Sequence, residues 1–108
     1  MTCHFTIVND SAMDRWLHLH ARVWSGANSR LFDEFGNEYI ATEAQIGSDA
    51  NISREFAQIV LVPQVVTKAM IRFDKFNPEA TMLTLLRVGF WSDRGDTHTD
   101  FRNVQLIR

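Results

Sequence analysis

The sequence predicts an all-β fold, an antiparallel sandwich of seven or eight short strands, and three observations carry that prediction. Apolar and polar residues alternate with a period of two along most of the chain, and no window of about eleven residues carries an apolar stripe at helical spacing. The alternating segments are short and recur every ~8–12 residues between turn-forming clusters, as they do where two sheets bury alternate side chains against each other. A length of 108 residues suits one core, so residues 1–108 are expected to form a single domain.

Residues 2–8 open the series, with Cys3, Phe5 and Ile7 on one face and Thr2, His4, Thr6 and Val8 on the other. Asn9, Asp10 and Ser11 then form a turn, because short polar side chains bond their own backbone. Residues 16–24 are the second strand; Leu17, Leu19, Ala21 and Val23 are its core face, opposite Trp16, His18, His20, Arg22 and Trp24. After a break at 25–28, residues 30–32 and 38–46 read as two strands joined through Asp33-Glu34-Phe35-Gly36-Asn37, where Gly36-Asn37 accepts the positive φ of a tight hairpin. Residues 47–55 are a polar loop from which Ile52 dips toward the core.

The apolar run 56–62 is cut by Pro63-Gln64, and since proline cannot donate to a ladder, Pro63 marks a strand end or crossing. Residues 65–73 resume with Thr67, Ala69, Ile71 and Phe73 opposite Val66, Lys68, Met70 and Arg72. Residues 77–80 form a turn with room for one helical turn begun by Pro78. The most apolar strand, 82–90, belongs in the centre, with Arg87 at the edge of a covered face. Residues 93–96 make a polar hairpin tip, and 101–107 close the chain. There Val104 and Leu106 alternate against Phe101, Asn103, Gln105 and Ile107, which leaves open which set is buried.

Composition narrows the function. Eleven Lys+Arg against 13 Asp+Glu give a formal net charge of −2, which leaves no electrostatic footprint for nucleic acid or an anionic membrane. No apolar run approaches the ~18–20 residues of a membrane span, and no basic-then-apolar leader is present. Cys3 is the single cysteine, so neither an internal disulfide nor a thiolate zinc cage is expected; eight Phe and three Trp must hold the core by packing. Both ends of the chain fall on strands without tails, the expectation for one module of a longer polypeptide.

Three stretches carry a family resemblance: SRLFDEFGNEYIATEAQIG (29–47), LVPQVVTKAMIRFDKFNPEATMLTLLRV (61–88) and DFRNVQLIR (100–108). Phe32, Asp33, Gly36, Asn37 and Tyr39 at a hairpin, then Pro63, Ile71, Phe73 and Pro78, resemble the immunoglobulin-like β-sandwich modules of bacterial lipoproteins and secreted proteins. That group, mostly of unknown function, is related in fold to the mycobacterial immunoprotective extracellular antigen. The resemblance implies an immunoglobulin-like sandwich, a module that binds or spaces, an extracellular or cell-surface location, and no catalytic residues. The chain departs from the pattern at Gln64, where such modules often carry Gly.

The candidate chemistry is sparse. His18 and His20 project from one strand face with Cβ atoms roughly 7 Å apart, and His4 on a neighbouring strand would complete a three-histidine metal site. Two solvated histidines beside Arg22 are the plainer account. Trp16, Trp24, Trp91 and Tyr39 are candidates for an aromatic platform that stacks on a sugar ring or grips a protein loop; a core tryptophan with two loop covers is the simpler one. Arg94-Gly95-Asp96 spells an adhesion tripeptide at a hairpin tip, where turn formation explains all three residues. Asp33, Glu34, Asp93, Asp96 and Asp100 would hold a calcium ion if their two loops shared one end of the sandwich, though solvated turns are the plainer account, and Glu38 with Glu43 would act as a carboxylate pair only if the fold made them converge. No nucleophile elbow or glycine-rich phosphate cradle is present. The sequence therefore points to a non-catalytic interaction or spacer module without a cofactor. Its partner is a protein, or a second copy through a sheet edge; glycan binding by the tryptophans and metal binding by the histidines are the alternatives.

Overall fold

The structure is a computed structural model that describes residues 1–22, 28–50 and 56–106. Its described residues form ten strands: β1 (Thr2–Val8), β2 (Arg15–His20), β3 (Arg30–Asp33), β4 (Glu38–Ile40), β5 (Glu43–Ile46), β6 (Asp49–Ala50), β7 (Phe56–Leu61), β8 (Val66–Arg72), β9 (Met82–Ser92) and β10 (Gly95–Gln105). They make two antiparallel sheets and no helix, as the period-two pattern requires. One sheet has the order β1-β8-β5-β6; the other runs β4-β3-β9-β2-β7, with β10 also paired to β9. Because β10 follows β9 along its length, β3 (on Leu83 to Arg87) and β2 (on Phe90 to Ser92) lie end to end on the opposite edge of β9. No described helix is long and apolar enough to cross a membrane.

The core faces are the expected ones. Leu17 and Leu19 are buried from β2 and Ala21 just past its end, Ala69 and Ile71 from β8 and Phe73 just past its end, while Cys3, Phe5 and Ile7 pack against this core from β1. At ~1.5–3 kcal/mol for each fully buried large apolar side chain, an upper estimate, this layer is the dominant stabilising contribution.

Several elements differ from the sequence reading, and the second strand, expected over 16–24, ends at His20, with residues 21 and 22 in a bend. Residues 38–46 are not one strand: β4 belongs to the six-stranded sheet and β5 to the other. The change happens at two residues, where the Ala41 N–H donates to Ser29 O and the Thr42 N–H to Arg72 O, so the backbone bonds pass from one sheet to the next. The polar stretch 47–55 contains β6, while its Ile52, like Val23, Trp24 and the 25–27 part of the first break, lies outside the described residues. The last strand starts at Gly95 rather than 101. It is exposed on both faces through 96–99, so no alternation marks it in the sequence.

That strand also settles which of its residues face inward. Asn103 sits at φ +53 opposite Thr84, where the β3–β9 register also shifts. A left-handed residue resets the alternation. Phe101, Val104 and Leu106 consequently share one side, beside the buried Leu83 and Leu86, although their numbers place them on opposite faces of a regular strand.

The two flanks of the sandwich are unlike. On one, β5 and β6 meet β7. Gly47 (φ +58) brings its backbone so near that an added Cβ would stand 2.8 Å from Ile59 Cδ1, and the Asp49 carboxylate accepts the Gln58 N–H at 2.7 Å. On the other flank β1 and β10 stand apart.

Candidate functional site

Between β1 and the β9–β10 hairpin the core opens to solvent in a groove of about 880 Å³, walled by Cys3 and Phe5 on one side and by Leu83, Leu86, Phe101 and Val104 on the other, with Phe76 and Leu106 at one end. It continues toward Ile7, Val88 and Phe90 in a second hollow of about 290 Å³, and Phe5 and Phe101 line both. Phe101 is 44% exposed, high for a phenylalanine that borders a core.

The two strands that flank the groove each have an unpaired edge among the described residues: β1 pairs only with β8, and β10 only with β9. On β1 the direction of the backbone groups follows from one pair. The Met1 nitrogen donates to Phe73 O (3.1 Å) and the Phe73 N–H returns to Met1 O (2.8 Å), so the odd residues Cys3, Phe5 and Ile7 direct their groups to β8. Thr2, His4, Thr6 and Val8 consequently turn their N–H and C=O groups outward. Cys3 brings no evident chemistry to the groove, since burial pushes its thiol up, away from the reactive thiolate.

The three candidate metal ligands are not brought together. His4 lies on the solvent face of the four-stranded sheet, and His18 and His20 lie on the outer face of the other, opposite Leu17 and Leu19. Among the described residues no group of three or more His, Cys, Asp or Glu is placed to hold a metal ion. His18 is instead sandwiched: the Phe56 ring stacks on it at 4.2 Å and 4°, and Trp91 packs on it at 4.7 Å. His20 is buried, with Asp96 3.9 Å from its Nε2.

The four aromatic candidates do not share one surface either. Trp16, exposed, and Trp91, half-buried against His18, lie on the outer face of the six-stranded sheet, and Trp24 lies outside the described residues. Tyr39 is on the inner face, paired across from the buried Leu31, with its ring against Phe76. Its hydroxyl donates to Asp33 Oδ2 at 3.0 Å and accepts the Asn77 N–H at 3.2 Å.

Asp33 is the centre of this end of the molecule and a structural staple. It is 1% exposed and accepts bonds from the Phe35 and Asn37 N–H groups, the Asn37 side-chain amide and Tyr39 Oη. Burial pushes its carboxyl up, but the bonds from Asn37, Tyr39 and Phe35 together outweigh that and hold it below the usual carboxylate range. Asp33 and Glu34 sit at the Leu83 end of β9, whereas Asp93 and Asp96 lie at its other end, ~30 Å away for a strand of this length. The two acidic loops therefore do not share one end, as a calcium site built from them would need. Glu34 is bound to Thr81, and Asp93 pairs with Arg15. Glu38 and Glu43 stand in different sheets, each beside an arginine, Arg30 (3.9 Å) and Arg72 (2.9 Å) respectively. Asp100 makes a two-point bond to Arg87 at 2.8 and 2.9 Å, which holds its carboxyl below the usual range.

Phe5, Phe101 and the outward backbone of β1 are what reading the sequence missed. The alternation puts Phe5 on the core face, but nothing in it shows that β1 and the last strand have edges unpaired among the described residues and facing one opening. No family model, no curated protein and no solved structure matches this chain.

Proposed function

We propose that the chain is a non-catalytic protein-binding module, which takes an extended segment of its partner against the free edge of β1 and over the apolar groove. One observation carries the reading: a groove of about 880 Å³, walled by core side chains, runs beside an edge whose Thr2, His4, Thr6 and Val8 backbone groups point outward. A strand added there would gain main-chain bonds from the edge, and alternate side chains would enter the groove. The rim of β1, Thr2, His4, Thr6 and Val8, lacks the lysines and prolines that block such addition on other edges. The two-sheet architecture and the Asp33-Gly36-Asn37-Tyr39 hairpin are in keeping with an immunoglobulin-like module of a bacterial extracellular or surface protein, the setting the resemblance implies.

Selection of displayed random decapeptides on the purified chain tests this. Enriched peptides should be apolar at every second position, and the affinity of a synthetic winner should fall about tenfold or more in His4→Pro. That substitution removes an outward N–H and leaves the bonds to β8 in place. Phe101→Asp, at the opposite wall, should weaken the same peptide. Failure to enrich any alternating peptide, or undiminished binding by a folded His4→Pro protein, would remove the proposal.

A further inference from the structure

The second free edge carries a different code. Along β10 the residues on the outer sheet face are Asp96, His98, Asp100 and Arg102, and they precede the left-handed Asn103 that ends the regular stretch. Suppose two copies of this strand lie antiparallel, edge to edge, about a two-fold axis through Thr99. Residue pairs then sum to twice that position, so Asp96 faces Arg102 of the other copy and His98 faces Asp100, and the symmetry repeats both pairings. Moving the axis by one residue sets Asp96 against Asp100 in one direction and Asp100 against its own copy in the other. Only the central register among these three sets Asp96 against Arg102 and leaves no carboxylate facing a carboxylate.

We infer that the β10 edge is a self-association surface, and that its occupant is a second copy of this chain in the register centred on Thr99. The side chains that would form the contact are accessible: those of Asp96, His98 and Arg102 are 44%, 51% and 65% exposed. Two bonds to Arg87 on the neighbouring β9 fix the position of Asp100, one member of each central pair, before association. On the inner face Phe101 would lie across from Thr97 of the second copy, at the mouth of the groove. The inference rests on the same view of the molecule as a contact module but uses the other edge, so the two can fail separately.

Sedimentation velocity of four chains decides it: wild type, Asp96→Arg, Arg102→Asp and the double swap. Wild type should dimerise reversibly with concentration. Each single reversal turns two attractive pairs into two repulsive ones and should weaken association about tenfold, and the double swap should return it to within about threefold of wild type. In a Cys3→Ser background, Thr99→Cys should form a disulfide-linked dimer on mild oxidation, because facing positions lie within bridging distance. His98→Cys, whose opposite is position 100, should not. A wild type that stays monomeric to ~1 mM, or four chains of equal mass at every concentration, overturns the inference. A dimer that the double swap fails to restore and that Thr99→Cys fails to link overturns it too. Neither result touches peptide binding at β1, which the His4→Pro comparison reads independently.

Discussion

The flank where β5 and β6 meet β7 and the flank where β1 and β10 stand apart are built from the same kinds of residue, yet only the first is shut. At the closed flank the backbone does the work: Gly47 lets two strands approach, Asp49 bonds Gln58, and Ile46 is fully buried. At the open flank the same aliphatic and aromatic side chains line a groove, and Phe5 and Phe101 remain partly exposed. The difference shows that an opening in a β-sandwich is decided by where strands end and pair, more than by residue type.

Three perturbations probe this contrast. The largest effect should come from truncating each flank in turn. Ile46→Ala empties a fully buried position and should cost about 2–5 kcal/mol in chemical denaturation, whereas Phe101→Ser should change stability by less than about 1 kcal/mol. Equal losses would mean that the groove side is as closed in solution as the other. Next, Gly47→Ala should cost about 1–2 kcal/mol for its left-handed φ alone, with a further penalty from Ile59 Cδ1. That further part should shrink in an Ile59→Val background, which lacks the offending methyl; a penalty identical in both backgrounds would show that the flank yields freely.

The smallest effect is a matter of pH and tests the stapled end against the open side. Asp33 holds its proton less tightly folded than unfolded, so its contribution is complete above the ordinary aspartate range near ~4 and is lost as pH falls through the lower folded value. Wild type should therefore lose stability on acidification below pH ~4 more steeply than Asp33→Asn, which has no such proton to take up. Parallel curves for the two proteins would contradict the hydrogen-bond assignment around Asp33.

Much of the architecture was legible in particular residues. Asn9 does bond Ser11, as a short polar turn residue should, and Gly36 does take φ +83 in its hairpin. Pro63 does mark a crossing, where Asn9 and Pro63 form a lone bridge. Gln64, next to Pro63, adopts φ +63, a left-handed conformation that suits a turn and that a residue with a Cβ seldom takes. The candidate surface was far less visible. The alternation puts His18 on the outer face with Trp16, but the two rings that pack on His18 are Trp91 and Phe56, and Phe56 comes from a strand some forty residues away that pairs with β2.

Local chemistry alone determined that this chain folds as β-structure, which side of most strands is apolar, and where the turns fall, because alternation and turn propensity act between near neighbours. Tertiary structure alone decided which strands share a sheet, that residues 41 and 42 carry the chain from one sheet to the other, and that β1 and β10 keep edges unpaired among the described residues, over an open core. Those outcomes depend on pairings between residues far apart in sequence. No residue at an edge differs in kind from one at a centre until its neighbours are in place.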